Sequence, residues 1–263
     1  ITLDRTMLLK AKLKKADLSE ASMKQAIFKE ADLTEADLTG AILELSMIMN
    51  TLMVKARLNN IKANLTVFSD ADATGIIFKE ARLERCLLRR LILNKADFSY
   101  TAFPSTTFME VTGDGVIFYG ADMHKGRMSN NSQFRGADLR SVTLTLGSLR
   151  DTDLSNSDFT GTKLDGALIE KCNLREAKMS GISAKTCRFS KSDLEGADMR
   201  HINLFGGSLR KSRLVNTDLS GSNLYAVDFY KAVFGETIMH GANVKQSILA
   251  RRTGILKSDK GIA

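Results

Sequence analysis

Three histidines, three cysteines and a long series of aspartates are the groups in this chain that could do chemistry. His124, His201 and His240 could ligate a metal or move a proton. Cys86, Cys172 and Cys187 could act as thiolates, as nucleophiles or as metal ligands. Aspartate recurs just ahead of leucine in Ala16-Asp17-Leu18, Ala31-Asp32-Leu33 and Ala36-Asp37-Leu38, and grouped carboxylates can serve acid–base catalysis. Gly113-Asp114-Gly115 is a glycine cluster, and such a cluster can let backbone approach a phosphate. No phosphate-loop signature, nucleophile elbow or zinc motif accompanies any of these groups.

Whether those side chains converge depends on what positions them, and here a five-residue period decides it. From Leu3, every fifth residue to Met128 is large and apolar except Ala63, Ala73 and Gly113. One residue is inserted within Ser129–Gln133. The series restarts at Phe134 and runs in fives to Leu249, with Ala184 its only small member. Neither a helix nor a plain strand has a period of five, so the repeat precedes any assignment of secondary structure. Two residues before each centre the side chain is usually small, as at Ala16, Ala31, Ala56, Ala96 and Ala137. Just before the centre it is often Asp or Asn, as in Ser192-Asp193-Leu194 and Ser222-Asn223-Leu224.

This pattern resembles the pentapeptide-repeat superfamily, in shorthand A(D/N)LxG, over nearly the whole chain. The resemblance implies an all-β, right-handed quadrilateral parallel β-helix in which four pentapeptides make one square coil. Centre and small residue would point inward and the other three outward. Each unit is too short to bury its own leucine, so stability comes from stacking coil on coil. The expectation is one domain over 1–252, about twelve coils, with a register slip near 129–133. Residues 253–263 are expected to be a tail or cap. With a strand-like rise of about 4.8 Å per coil, the rod is on the order of 60 Å long.

The square coil disperses the chemical groups. Each cysteine falls in a small inward slot, two before Leu88, Leu174 and Phe189, where it serves as a small hydrophobe. The histidines fall outward, and His201 and His240 lie about 10 Å apart on one wall. The recurrent aspartates are expected to bond corner backbone, as Asp does in turns. Gly113 replaces a core centre, so a loop or bulge is expected there. No catalytic residue, cofactor or metal is expected, and the chain reads as non-catalytic.

Composition narrows the rest. Charged residues are 26% of the chain, the formal net charge is +8, and no apolar run is long enough to cross a membrane. Unpaired thiols fit a reducing compartment. The chain starts at Ile1 already in register, which is read as a piece of a longer parent.

Residues twenty apart share a wall, so the walls can be mapped. They are named a, b, c and d from the centres Leu3, Leu8, Leu13 and Leu18. On wall d, Phe78, Phe98 and Phe118 are expected to stack as an aromatic ladder. On wall b the position before the centre reads Met7, Ile27, Met47, Val67 and Leu87, where the repeat prefers Asp or Asn. A contiguous outward apolar stripe of this kind marks a docking surface for another protein or for an absent segment of the parent chain. Further along wall b stand Lys171, Lys191, Lys211, Lys231 and Arg251, again twenty apart. Such a column invites an acidic partner or a polyanion.

What the resemblance implies about function divides into branches. One is a non-catalytic protein-interaction scaffold, the repeat domain of a longer bacterial protein linked to secretion or effector delivery. It would reside in the bacterial cytoplasm or be translocated by a specialised secretion system. A second is polyanion or nucleic-acid binding through the Lys/Arg column. A third is a DNA-mimic, topoisomerase-binding protein, which the basic charge disfavours. A homodimer is compatible with each. The scaffold reading is the main expectation.

Overall fold

The computed structural model describes residues 1–251, with the side chain of Arg251 outside the described set. The expected tail, 253–263, lies outside the described residues as well. The chain winds into a four-walled parallel β-helix. Twelve successive parallel bridges link Thr2 through Ser22, Ile42 and onward to Asn243 along wall a, one for each coil. Partners are twenty residues apart until the slip, where Asp122 pairs with Thr143 and Arg127 with Ser148. Pairs twenty apart resume after it, as in Ser148 with Leu168.

Wall b carries the most regular sheet. Its strands are β1 (Ile27–Lys29), β2 (Met47–Met49), β3 (Val67–Asp72), β4 (Leu87–Ile92), β5 (Thr107–Met109), β6 (Arg127–Ser129), β7 (Ser148–Arg150) and β8 (Leu168–Glu170). They pair in that order, all parallel. Late in the rod the paired strands lie on wall c, as β9 (Arg213–Val215) beside β10 (Val233–Gly235). A 3₁₀ turn, Ile248–Arg251, ends the described chain.

The corners explain the five-residue period. On most walls the centre carbonyl accepts a bond from the amide three residues on, as from Ala16 to Leu13 at 3.0 Å and from Ala21 to Leu18 at 3.2 Å. The residue before that amide has positive φ, 58° at Lys15 and 55° at Glu20. That combination is a type II turn. On wall b, through its first coils, the backbone stays extended one residue longer. Glu30 N bonds up to Met49 O at 3.0 Å, as Lys15 N does to Thr34 O at 2.9 Å on wall c, but Ala31 N makes no closing bond to Phe28 O.

At the slip the corner holds two left-handed residues in succession, Asn130 and Asn131, at φ 57° and 58°. Asparagine is among the few non-glycine residues that tolerate this region. Ser132 regains the inward slot, donating to Ser129 O at 2.7 Å while accepting from Val111 N at 3.2 Å.

The core matches the inward reading. Phe28, Phe68, Leu154, Leu194 and Leu224 are fully buried. Inward hydroxyls donate to the carbonyl of a centre one coil earlier, as from Ser46 to Met23 O and Thr101 to Phe78 O, both at 2.6 Å. Phe98 stacks between Phe78 and Phe118, with ring centroids 4.9 and 5.4 Å away and planes within 12°.

Gly113 overturns the expected bulge. It holds its place in the ladder, with its amide donating to Gln133 O at 2.7 Å. A Cβ there would sit 2.5 Å from Val116 Cγ2 and 3.3 Å from both Leu93 Cβ and Phe134 Cδ1. Neighbouring coils already fill the space that a centre side chain would take. The glycine therefore faces packed core and offers no cradle for a phosphate.

Candidate interaction face

The corner aspartates are occupied structurally. Asp17, Asp37, Asp97, Asp158 and Asp218 each accept the amide two residues on, at 2.9–3.0 Å. Asp138 and Asp198 add bidentate contacts from Arg140 and Arg200, which hold both carboxyls below their ordinary range. These carboxylates make their bonds at the corners and do not converge on a shared point.

The cysteines lie buried in the inward slots. Removal from water pushes the thiols of Cys86 and Cys172 up to about 12, and that of Cys187 higher still. A thiol held protonated is a poor nucleophile and a poor metal ligand. His124 is engaged by Thr145 Oγ1 at 2.8 Å, and the His201 ring lies over Gly221. Among the described residues no group of His, Cys, Asp and Glu is placed to hold a metal ion.

What the fold does bring together is the outer surface of wall b. Met7 bridges Ile27, Ile27 pairs with Met47, Met47 with Val67, and Val67 with Leu87, so the five form one unbroken column. Met7 is 64% exposed and Met47 39%, whereas Ile27, Val67 and Leu87 are half-buried between their neighbours. Leu9, Leu45, Leu52 and Leu65 widen the patch, each about half exposed. Leu45 and Leu65 stand at the corner shared with wall a, in left-handed backbone at φ 59° and 53°. That region costs a non-glycine residue roughly 1–2 kcal/mol. Beyond Leu87 the column continues as Thr107 and Arg127.

The basic column follows on the same wall. Lys171, Lys191, Lys211 and Lys231 occupy one corner in successive coils, all exposed and all at positive φ. Arg251, expected as the fifth, lies outside the described side chains. Asp151 lies 3.7 Å from Lys171, Glu170 lies 3.0 Å from Arg150, and Asp228 lies 3.7 Å from Arg210. Lys231 Nζ and the Arg210 guanidinium both lie over Tyr230, at 5.3 and 4.3 Å from the ring centre. Lys191 and Lys211 make no ion pair among the described residues. Adjacent cations one coil apart repel by about 0.9 kcal/mol in water before screening.

Two surface features were not anticipated. Phe205 and Tyr225, twenty apart on wall a, stack at 5.3 Å with planes 5° apart, beside an amide bond from Asn223 to Asn203 at 3.0 Å. On wall c, Glu195 is gripped by Arg175 and Arg213, whose hydrogen bonds lower its carboxyl below the usual range. The twenty-residue spacing could have flagged both.

A four-walled helix built from pentads with type II corners defines a particular class of β-solenoid. A model of pentapeptide repeats matches residues 8–44, 66–101, 132–170, 169–206 and 208–249, in 8 copies, and the chain belongs to that family. No curated protein matches it in sequence. Among solved structures it is similar to HetL, a pentapeptide repeat protein involved in heterocyst differentiation regulation in the cyanobacterium Nostoc. Identity there is 20%, over 91% of this chain and 90% of that one, with TM-score 0.26. It is also similar to QnrB1, a plasmid-mediated fluoroquinolone resistance protein, at 17% identity over 81% and 97%, TM-score 0.39. The A-module of Azotobacter vinelandii mannuronan C-5 epimerase AlgE4 aligns at 8% identity over 94% and 86%, TM-score 0.30. Among the described residues no helix is long and apolar enough to cross a membrane.

Proposed function

We propose that this rod is a non-catalytic protein-interaction scaffold whose docking surface is the apolar early part of wall b. The observation that carries the reading is the unbroken column from Met7 to Leu87, flanked by half-exposed Leu45, Leu52 and Leu65. Isolated apolar side chains on a surface need no function, but a contiguous patch marks an interaction site. Methionine, here Met7, Met47 and Met49, adapts to varied partner shapes. Replacing Met47→Asp with Val67→Asp leaves the core centres Ile48 and Phe68 in place. The doubly substituted rod therefore keeps its circular dichroism and loses its bound partner in affinity purification. Full partner recovery by the variant refutes the assignment.

The later part of the same wall supports a second reading, an acidic or polyanionic ligand at Lys191, Lys211 and Lys231. Lysines aligned coil after coil relieve their mutual repulsion when an anion lies along them. A mimic of duplex DNA is disfavoured by the net charge of +8 and by corner aspartates already bonded to backbone.

A further inference from the structure

We propose that the occupant of the apolar face is a second copy of this chain, packed antiparallel, wall b against wall b. The proposal rests on the docking assignment above and adds the identity of the partner. What carries it is the order of charges along the corner between walls b and c. That corner reads Lys10, Glu30, Asn50, Asp70, Arg90 and Glu110, one residue per coil. All six share a left-handed backbone, with φ between 49° and 59°, so they leave the rod in one direction along one edge.

Two such walls meeting face to face in antiparallel sense keep like columns opposite one another. With the twofold axis between the coils of Met47 and Val67, Lys10 meets Glu110 of the second copy, Glu30 meets Arg90, and Asn50 meets Asp70. Within each chain Lys10 already pairs with Glu30 at 3.5 Å and Arg90 with Asp70 at 2.5 Å, so the interface joins these pairs into alternating clusters. The same axis sets Met47 against Val67, Ile27 against Leu87, Leu45 against Leu65 and Leu9 against Met109. Apolar side chains fill the centre and opposite charges line one rim, as in stable interfaces. Lys29 facing Arg89 is the one like-charged match. It lies beside the acidic Glu30, 4.0 Å from the Lys29 ammonium.

Antiparallel registers with the axis on a coil, and a parallel pair, set like charges together. Moving the axis onto the coil of Met47 sets Lys10 against Arg90 and Glu30 against Asp70. Moving it onto the coil of Val67 sets Glu30 against Glu110 and Asp70 against itself. A parallel pair sets Arg5 against Lys10 and Arg85 against Arg90. Axes one coil earlier or later also avoid like charges at this corner, but they set Leu65 against Arg5 or Arg85. The central register alone sets Leu45 against Leu65 and keeps the whole column from Ile27 to Leu87 on apolar partners. The six coils span about 29 Å, which places the interface at the small end of specific complexes.

Sedimentation equilibrium of the full 263-residue chain tests this, from about 1 to 200 μM. The expected result is a reversible dimer. Glu30→Arg alone and Arg90→Glu alone each weaken it about tenfold, since each places two like-charged contacts in the dimer. Combining the two substitutions restores the wild-type constant within about twofold. A wild-type chain that stays monomeric, or a dimer indifferent to both single substitutions, overturns the proposal. A monomer whose partner is still lost with Met47→Asp and Val67→Asp overturns the second copy alone. Undiminished partner recovery by that variant overturns the docking assignment itself.

Discussion

Phe98 is the place where the core can be tested against simple burial of apolar area. Its ring is fully buried, stacked at 4.9 Å on Phe78 and at 5.4 Å on Phe118, with Phe103 and Phe108 edging it at 5.2 and 6.2 Å. Phe98→Leu keeps an apolar centre but removes all four ring contacts, of which the two stacked ones alone contribute about 1–3 kcal/mol at roughly 0.5–1.5 per pair. The change of shape adds up to about 1.5 kcal/mol. Phe189 is equally buried, yet it pairs with no other ring among the described residues. Phe189→Leu therefore costs the shape term alone. Guanidinium unfolding followed by far-ultraviolet circular dichroism measures both variants against wild type. The difference between them is the contribution of the ring contacts, at least about 1 kcal/mol. Phe98→Ala leaves a cavity and costs more, about 3–5 kcal/mol. If the two leucine variants lose stability equally, within about 0.5 kcal/mol, the ladder adds nothing beyond burial and the reasoning fails.

Other outcomes follow from the same geometry. Leu194→Asp buries a charge with no partner and should cost several kcal/mol, leaving little folded protein; a soluble variant with native circular dichroism would contradict the inward assignment. Asp138 and Asp198 have folded values depressed by Arg140 and Arg200, so their stabilisation is present above the unfolded carboxylate value. It is lost as pH falls through the lower folded value. The melting temperature should thus hold from neutrality to about pH 5 and drop below about pH 4, with a shallower drop in Asp198→Asn. The three buried thiols should resist maleimide in the native state and react on unfolding; one fast native thiol would refute their placement. Substituting Lys191, Lys211 and Lys231 together by alanine should lower the salt at which the chain leaves heparin, and unchanged elution would remove the column as an anion site.

Much of the fold was legible before any coordinates, because an inward side chain every five residues can be met by few backbone paths. Leu3 to Leu249, the slip after Ser129 and the stacking of Phe78, Phe98 and Phe118 all follow from that period. The apolar column from Met7 to Leu87 was legible for the same reason. Once the coil holds twenty residues, surface neighbours are fixed by counting. Gly113 was misread because the sequence shows that a centre is vacant, while only the packed structure shows Val116, Leu93 and Phe134 closing around it.

The period is the same on all four walls, so it could not say which would carry continuous strands. Only the tertiary structure put them on wall b through β8 and on wall c in β9 and β10. Along wall b the centre carbonyls of β1 to β8 accept no bond within their own turn, whereas in β9 the Leu214 carbonyl still accepts from Thr217 N at 3.2 Å, a difference the five-residue period does not carry. Side-chain partners were hidden for a related reason. Counting brings Lys171 near Asp151 and Arg90 near Asp70, but rotamers and distance determine which charges neutralise one another. The sequence by itself determined the tube and the contents of its walls; the three-dimensional packing decided which wall is flat and which charges remain free to meet another molecule.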